Sequence, residues 1–452
     1  MLPPGPTRLP APVQTALFIG FQTQTSRWLR RRFGDVFTTR LAGIGDFVIV
    51  SEPALLKQVF TAPPTVLHAG DRSPLGPILG RNSLLALDEA RHLSQRKLLL
   101  PPFHGERMHS YEAIIEEEAR RELATWPANE PFPTLEPMMR ITLNAILRAV
   151  FGAEGRELQA LRELLPRMVT LGSRLAFLPF LHRDLGPRSP WGRFKRMRAE
   201  FNAHVDELIA SARRDPRLEE RADVLSLLVR TTHEDGSPMT HEEISDQLLT
   251  LLAAGHETTA STLAWAVERL RRHPAILREL VAEVDAGRRD YRDAVIREVQ
   301  RTRPVITGAG RYAMVDYQLG EWLLPAGTRI IASAFLTQSD PRVYEDPQRF
   351  DPERFLRSKP ETYKWVPFGG GIRRCIGAAF AHMEMDVVLR TLLQQFELAT
   401  THAKPEKWHS RGVAFVPARG GVAVLRPRLH APVERAPAAS EPAVETVPVV
   451  AA

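Results

Sequence analysis

The sequence uses cysteine once, at Cys375, inside the run WVPFGGGIRRCIGAAF (Trp365 to Phe380), which also holds four glycines, two arginines and three aromatics. A thiolate binds metal or acts as a nucleophile, whereas a thiol in apolar surroundings is an inert core group. Gly371 and Gly377 remove side chains where something flat must approach the backbone, and Gly369 and Gly370 permit positive φ. A helix starting just after Cys375 aims its amide dipole at the sulfur, and Arg373 and Arg374 flank it, so the thiolate is expected to be favoured. That is the environment of a metal ligand. A Cys–His nucleophile is set aside, because His382 lies two helical turns on, about 10 Å away, too far for proton transfer.

Other residues carry chemistry at defined spacings. Glu298 and Arg301 in IREVQRTRP are three apart and share a helix face. An exposed pair of this kind contributes at most about 1 kcal/mol, but Pro304 ends the helix and RFDPERF (Arg349 to Phe355) follows with Arg354. Within AGHETT (Ala254 to Thr259), an acid, Glu257, precedes an alcohol, Thr258. The Thr258 hydroxyl can bond back to the Ala254 carbonyl, and a groove or bulge there would admit a small ligand. His92 and Arg96 are one turn apart ahead of Pro101–Pro102, and Arg311 sits in GAGRYAM; taken alone, each reads as solvated surface.

These groups need a scaffold. The chain of 452 residues, 44% hydrophobic and 25% charged, has the composition of a packed globular protein. DVFTTRLAG and DFVIVSE read as two strands joined by a turn at Gly43 to Gly45, followed by a helix, PALLKQVF. From about Arg91 to Asp285 the periodicity is helical, broken at Pro101, Pro102, Pro179, Pro187 and Pro190. MTHEEISDQLLTLLAAGHETTASTLAWAVERL opens with Thr240 and Glu243 at capping-box spacing and reads as one helix of roughly thirty residues, about 45 Å long. Short strands return after Pro304, a helix runs from about Ile376 to Phe396, and VAFVPA and VAVLRP close the folded part. The expected fold class is α+β, mainly α: a single domain over 1–430 and a flexible Ala/Pro-rich tail over 431–452.

Charge and composition exclude several classes. The formal charge of +7 arises from 60 basic and 53 acidic residues, a mixed-sign surface without zinc-finger, RNA-binding or clear helix-turn-helix signatures, so no nucleic-acid role is expected. A lone cysteine forms no internal disulfide, no secretory leader opens the chain and no apolar run suits a membrane span, so a cytoplasmic protein is expected.

FGGGIRRCIG (Phe368 to Gly377) resembles the haem-binding loop of the cytochrome P450 family, and the resemblance extends over about residues 3–427. It implies that Cys375 is the thiolate ligand of haem b iron, that Phe368 packs beside the sulfur and that Gly369 and Gly377 make room for the porphyrin. It further implies propionate contacts from His92, Arg96, Arg311 and Arg373, and a buried Glu298–Arg301–Arg354 network supporting the cysteine loop. AGHETT is similar to the family's oxygen-activation segment, in which Glu257 and Thr258 would supply protons and Ala254 would border the haem. The loop AGRRDYRD between two helices is shorter than is usual in the family, and Ser339 replaces its usual basic or amide residue.

The implied activity is monooxygenation of an apolar small molecule by dioxygen. By resemblance, Leu251, Val305, Ile306, Thr307, Val413 and Ala414 would line the substrate pocket. No flavin or iron–sulfur domain is encoded, so electrons from NAD(P)H would arrive through a ferredoxin or flavodoxin and its reductase, docking near Arg373, Arg374 and Lys97. A peroxygenase or isomerase of the same fold, a haem-based sensor and a non-haem protein with a structural cysteine are the competing readings.

Overall fold

The computed structural model describes residues 2–428, apart from 104, 106, 153–154, 177 and 234. The tail expected at 431–452 lies outside the described residues. Helices dominate, and the largest sheet has five short strands in the order Val36–Leu41, Gly45–Val50, Arg329–Ala332, Ala309–Ala313, Leu67–His68. The first two form the hairpin expected from the early alternation, with Val36 opposite Val50 and Leu41 opposite Gly45. The third joins in parallel, Val48 against Ile330, and the fourth returns antiparallel with Arg311 opposite Ile330. Arg311 therefore projects from a strand whose partner strands come from both ends of the chain.

One element has no counterpart in the sequence reading: a helix over Ala11–Phe33 packed on the first strand. Its buried residues, Gln14, Thr23, Thr25, Ser26 and Leu29, are mostly polar, while Ile19, Phe21 and Trp28 are exposed and Phe21 leaves helical geometry. An amphipathic period is thus absent. The burial is satisfied by hydrogen bonding instead, because the Gln14 carboxamide oxygen accepts from Thr39 Oγ1 (3.1 Å) and from the Arg40 amide (2.9 Å).

The central helix, His241–Leu270, is 30 residues long and opens on the expected capping box between Thr240 and Glu243. It packs most extensively against Leu135–Phe151 and also touches Asp290–Thr302 and Ala378–Gln395. Its weak helix formers are reconciled with helical backbone by hydroxyls that bond back one turn: Thr250 to Asp246 O (2.6 Å), Thr258 to Ala254 O (2.8 Å), Ser261 to Glu257 O (2.6 Å) and Thr262 to Thr258 O (3.0 Å). The helix stays continuous through this stretch, with no bulge, so any ligand space comes from small side chains alone. Fully buried Trp265 pins it to the C-terminal strands through Nε1–H to the Phe415 carbonyl (3.0 Å).

The Asp290–Thr302 helix carries the strongest polar anchor. Glu298 and Arg301 are wholly buried and bonded in a fork, 2.7 Å at both contacts. Arg354 Nε approaches the same carboxylate at 3.3 Å, and the Asp351 amide donates to it at 2.8 Å. Arg301 also donates to the Gln338, Pro347 and Arg349 carbonyls. Gln338 relays the network to the cysteine loop, since its Oε1 accepts from the Val366 amide at 2.8 Å. Removing one member of a buried ion pair strands the other charge, at about 3–5 kcal/mol. Glu298→Ala should lower stability by that amount in equilibrium denaturation; a melting temperature equal to the parent's would show that the network bears no load.

Glu384, on the Ala378–Gln395 helix, is 1% exposed and hydrogen-bonded by the Thr259 side chain, with Oε1 unsatisfied. Burial pushes its carboxyl well above the ordinary value near 4.5. The folded state therefore holds a proton that the unfolded chain releases, and stability falls as pH rises from the unfolded value towards the folded one. Glu384→Gln, neutral at every pH, should lack this fall. Its melting temperature relative to the parent should climb with pH above about 4.5, and a pH-independent difference would contradict a buried neutral carboxyl.

Candidate functional site

The cysteine loop closes through the Cys375 amide, which donates to the Phe368 carbonyl at 3.0 Å. Gly369 (φ 67°) and Gly371 (φ 63°) occupy left-handed backbone, but Gly370 is extended at φ −156°, contrary to the expectation of positive φ there. The role of Gly371 also differs: a Cβ would lie 1.8 Å from the Phe60 carbonyl oxygen, so its missing side chain admits the C-terminal turn of the Pro53–Thr61 helix. At Gly369 and Gly377 a Cβ would meet nothing within 4 Å. Open space therefore adjoins those two glycines. Phe368 packs edge-on against Trp365, which is tethered by Nε1–H to the Arg297 carbonyl (3.2 Å).

The Cys375 sulfur lines a solvent-reached concavity and so is exposed, although protein surrounds it on most sides. Burial pushes its thiol up, against the lowering pull of the Gly377 amide and of Arg96 and Arg374. The sequence argument weighed only the dipole and the arginines, so it expected the opposite direction. Desolvation outweighs them in the protein alone.

A cluster of basic side chains converges next to this loop. His92 is 2% exposed, and burial with the charges of Arg373, Arg96 and Arg311 lowers its pKa to about 4 despite Asp88. Arg311 is 8% exposed, bonded to the Gly310 carbonyl and stacked 5.5 Å from the Phe60 ring; burial and Arg373 bring it down to about 10. Asp88 is the carboxylate that faces this group: it pairs with Arg373 and accepts from the Ala69, Gly70 and Asp71 amides. Arg373 is therefore turned inward, also bonding the Leu84 and Leu87 carbonyls, and is not part of an outer docking face as expected from sequence. The excess of buried positive charge and the orphaned Nδ1 of His92 suit a bound dianion such as the two propionates of a haem.

On the central helix, most side chains are buried, but Ala254 is exposed and Ala253, Gly255 and Thr258 are half-exposed in mid-helix. Exposure in the middle of a buried helix marks open space beside it at these residues. Thr258 has its hydroxyl on the Ala254 carbonyl, whereas Glu257 is buried and ion-paired to Arg411 (3.2 Å), which also bonds Glu136 (3.1 Å) and Thr170 (3.4 Å). Burial raises the Glu257 carboxyl and Arg411 opposes it. Acid and alcohol, adjacent in sequence, thus have separate partners.

The expected pocket residues divide. Leu251, Val305 and Ala414 are packed into the core, while Ile306 and Val413 keep exposed surface. Thr307 is half-exposed and accepts a weak bond from Gln22 of the unpredicted N-terminal helix (3.4 Å). Sequence reasoning missed Asp88, Gln338 and Arg411. The acid at the head of the helix bearing His92 was a usable signal for Asp88; nothing local marks the other two.

A groove of about 1170 Å³ opens on the Cys375 side, lined from the Glu89–Leu99, Arg107–Leu123, Asp290–Thr302 and Ala378–Gln395 helices but not from the central helix. Arg120, Arg288, Arg289, Arg297, Lys359 and Arg374 line it, and Glu112, Glu116 and Asp386 are in ion pairs with Arg390 and Arg292. Of the loop AGRRDYRD expected between two helices, only 286–289 is connection, the rest opening the Asp290–Thr302 helix, and Gly287, Arg288 and Arg289 form one of the groove's walls.

A helix-rich fold with small sheets, a single cysteine in a glycine loop and a converging cation cluster define a haem-thiolate protein class. The family model for cytochrome P450 matches residues 3–423, and the chain belongs to that family, whose members are haem-thiolate monooxygenases. Cytochrome P450 138 of Mycobacterium tuberculosis is 54% identical over 400 residues, covering 88% of this chain and 90% of the relative. Cytochrome P450 135B1 of Mycobacterium bovis is 41% identical over 427 residues, covering 93% and 90%. Among solved structures, a retinoic acid-bound cyanobacterial CYP120A1 superposes with TM-score 0.83 at 26% identity, covering 94% of this chain and 99% of the other. The haem domain of cytochrome P450DA gives TM-score 0.83 at 22% identity, covering 94% and 98%, a likeness of fold. Among the described residues no helix is long and apolar enough to cross a membrane.

Proposed function

We propose that this monooxygenase inserts one atom of dioxygen into an apolar small molecule, with haem b held between the cysteine loop and the central helix. The observation that carries this reading is the convergence of Arg96, Arg311 and Arg373, with the buried imidazole of His92, beside Cys375, opposed by Asp88 and Asp71. Bound iron would supply the oxygen chemistry. Cys375 would be its sulfur ligand, the iron's positive charge taking the place of the thiol proton and stabilising the thiolate that burial alone disfavours. Phe368, Gly369 and Gly377 would flank the ring, and Ala254 would face it from the central helix.

Thr258 would hold a hydroxyl at that open space, and Glu257, kept protonatable by burial, would act as the proton reservoir behind it. Its bond to Arg411 makes that arginine a control on proton release. Leu251, Val305, Ile306, Thr307, Val413 and Ala414 would shape an apolar pocket, and the retinoic acid bound to the cyanobacterial neighbour is a guest of that character. Glu298, Arg301 and Arg354 would brace the loop.

Reduced protein exposed to carbon monoxide should show the red-shifted Soret band of thiolate ligation, and Cys375→Ser should abolish it. A variant that kept the band would remove Cys375 from the ligand role. Thr258→Ala should bind haem and substrate normally but divert NAD(P)H into hydrogen peroxide. The product formed per NAD(P)H consumed is the measure, and a ratio equal to the parent's would exclude Thr258 from proton delivery and favour a peroxide-driven or isomerising enzyme.

Electrons would come from an acidic ferredoxin or flavodoxin seated in the basic groove. Arg288 and Arg374 have no carboxylate partner among the described ion pairs, and their charge is free to face a partner. Arg288→Glu with Arg374→Glu should slow reduction by an acidic partner at low salt, and the difference from the parent should shrink as ionic strength rises. A salt-independent rate in both proteins would place docking elsewhere.

A further inference from the structure

We propose that His68, Asp71 and Asp88 form a binding site for a divalent transition-metal ion such as zinc, distinct from the proposed iron ligand Cys375. The three ligand atoms lie within 4.8 Å of one another. His68 is 5% exposed and its Nδ1 is buried without a hydrogen-bond partner. That nitrogen faces Asp71 Oδ2 at 3.4 Å and Asp88 Oδ2 at 3.5 Å.

The proton on the other ring nitrogen decides what Nδ1 presents. Nε2 is 2.8 Å from Glu89 Oε1, so in a neutral imidazole Nε2–H donates to Glu89 and Nδ1 turns a lone pair towards two carboxylate oxygens. Lone pair against anion is repulsive unless a cation lies between them. The spacing matches a metal: donor atoms at zinc–nitrogen and zinc–oxygen distances of about 2.0–2.1 Å in a tetrahedron lie about 3.4 Å apart. Glu89 completes the usual second contact of a metal-bound histidine, a carboxylate fixing the tautomer, and it does so from a left-handed backbone at φ 51°.

Asp88 is held in place by the Ala69, Gly70 and Asp71 amides, and since Gly70 and Asp71 donate to the same Oδ2 that faces His68, a bound ion would share that oxygen with them; Asp71 is exposed, leaving a route for the ion and for a water as fourth ligand. Three carboxylates surround one imidazole, and Arg373 is the cation paired with Asp88. A bound ion would tie the Leu67–His68 strand to the start of the Glu89–Leu99 helix.

The test uses the full-length, haem-loaded protein after chelator treatment, with zinc chloride as the probe and equilibrium dialysis as the readout, which does not depend on turnover. The expected result is one tightly held zinc per chain that millimolar magnesium does not displace. Asp71→Asn, at an exposed position that leaves the fold untouched, should weaken it at least tenfold with haem content unchanged. His68→Gln should do the same, and Glu89→Gln should weaken it by about 10–100-fold. Zinc affinity equal to the parent's in Asp71→Asn would assign the metal to other histidines and overturn the proposal. Absence of stoichiometric zinc in the parent would overturn it too, leaving His68 as an imidazolium held by its carboxylates.

Discussion

Everything around Cys375 depends on how one wholly buried carboxylate is satisfied. Glu298 accepts a fork from Arg301, an amide hydrogen from Asp351 and the approach of Arg354, so its lone pairs are occupied and no charge in the group is left alone. The energetic return from such a group is small; its effect is geometric. Arg301 spends its remaining donors on the carbonyls of Gln338, Pro347 and Arg349, and Gln338 spends its carboxamide on Val366 and on the Gln300 and Arg301 carbonyls. A loop of irregular backbone thereby acquires the rigidity of a helix to which it is not covalently adjacent. The sulfur at its end inherits that rigidity.

The cation cluster poses the complementary problem. Arg311 and His92 are buried with more positive than negative charge around them, an arrangement that costs stability in the protein alone and is relieved by an anionic ligand. Cys375 carries the mirror-image strain, a thiol whose anion is disfavoured by burial. A cofactor bound there as proposed, bringing both a metal cation and two carboxylates, would answer both at once and would contribute to folding as well as to chemistry.

Much of the site was legible because its signals are local. The cysteine loop is set within ten residues, the Thr240–Glu243 capping box and the bond from Thr258 to Ala254 within four or so, and Glu298–Arg301 needs only helical spacing. What escaped depends on contacts between distant segments. Arg411 is 154 positions from Glu257, Gln338 is 28 from Val366, and neither has a distinctive neighbourhood. The Ala11–Phe33 helix escaped for another reason: it buries amides and hydroxyls rather than an apolar stripe, so periodicity had nothing to detect. The direction of the Cys375 shift was misjudged because charges can be read from a sequence and desolvation cannot.

The sheet pairing Val48 with Ile330 has a consequence for the order of assembly. Strands from the first fifty residues have to wait for strands made after residue 300, and contacts so remote in the chain form slowly. The helical middle, with the central helix and the His92–Arg96 turn, is synthesised and can collapse first. Arg311 arrives only with the late strand. The proposed cradle is thus half built while the chain is still emerging, and its last arginine joins when the sheet closes.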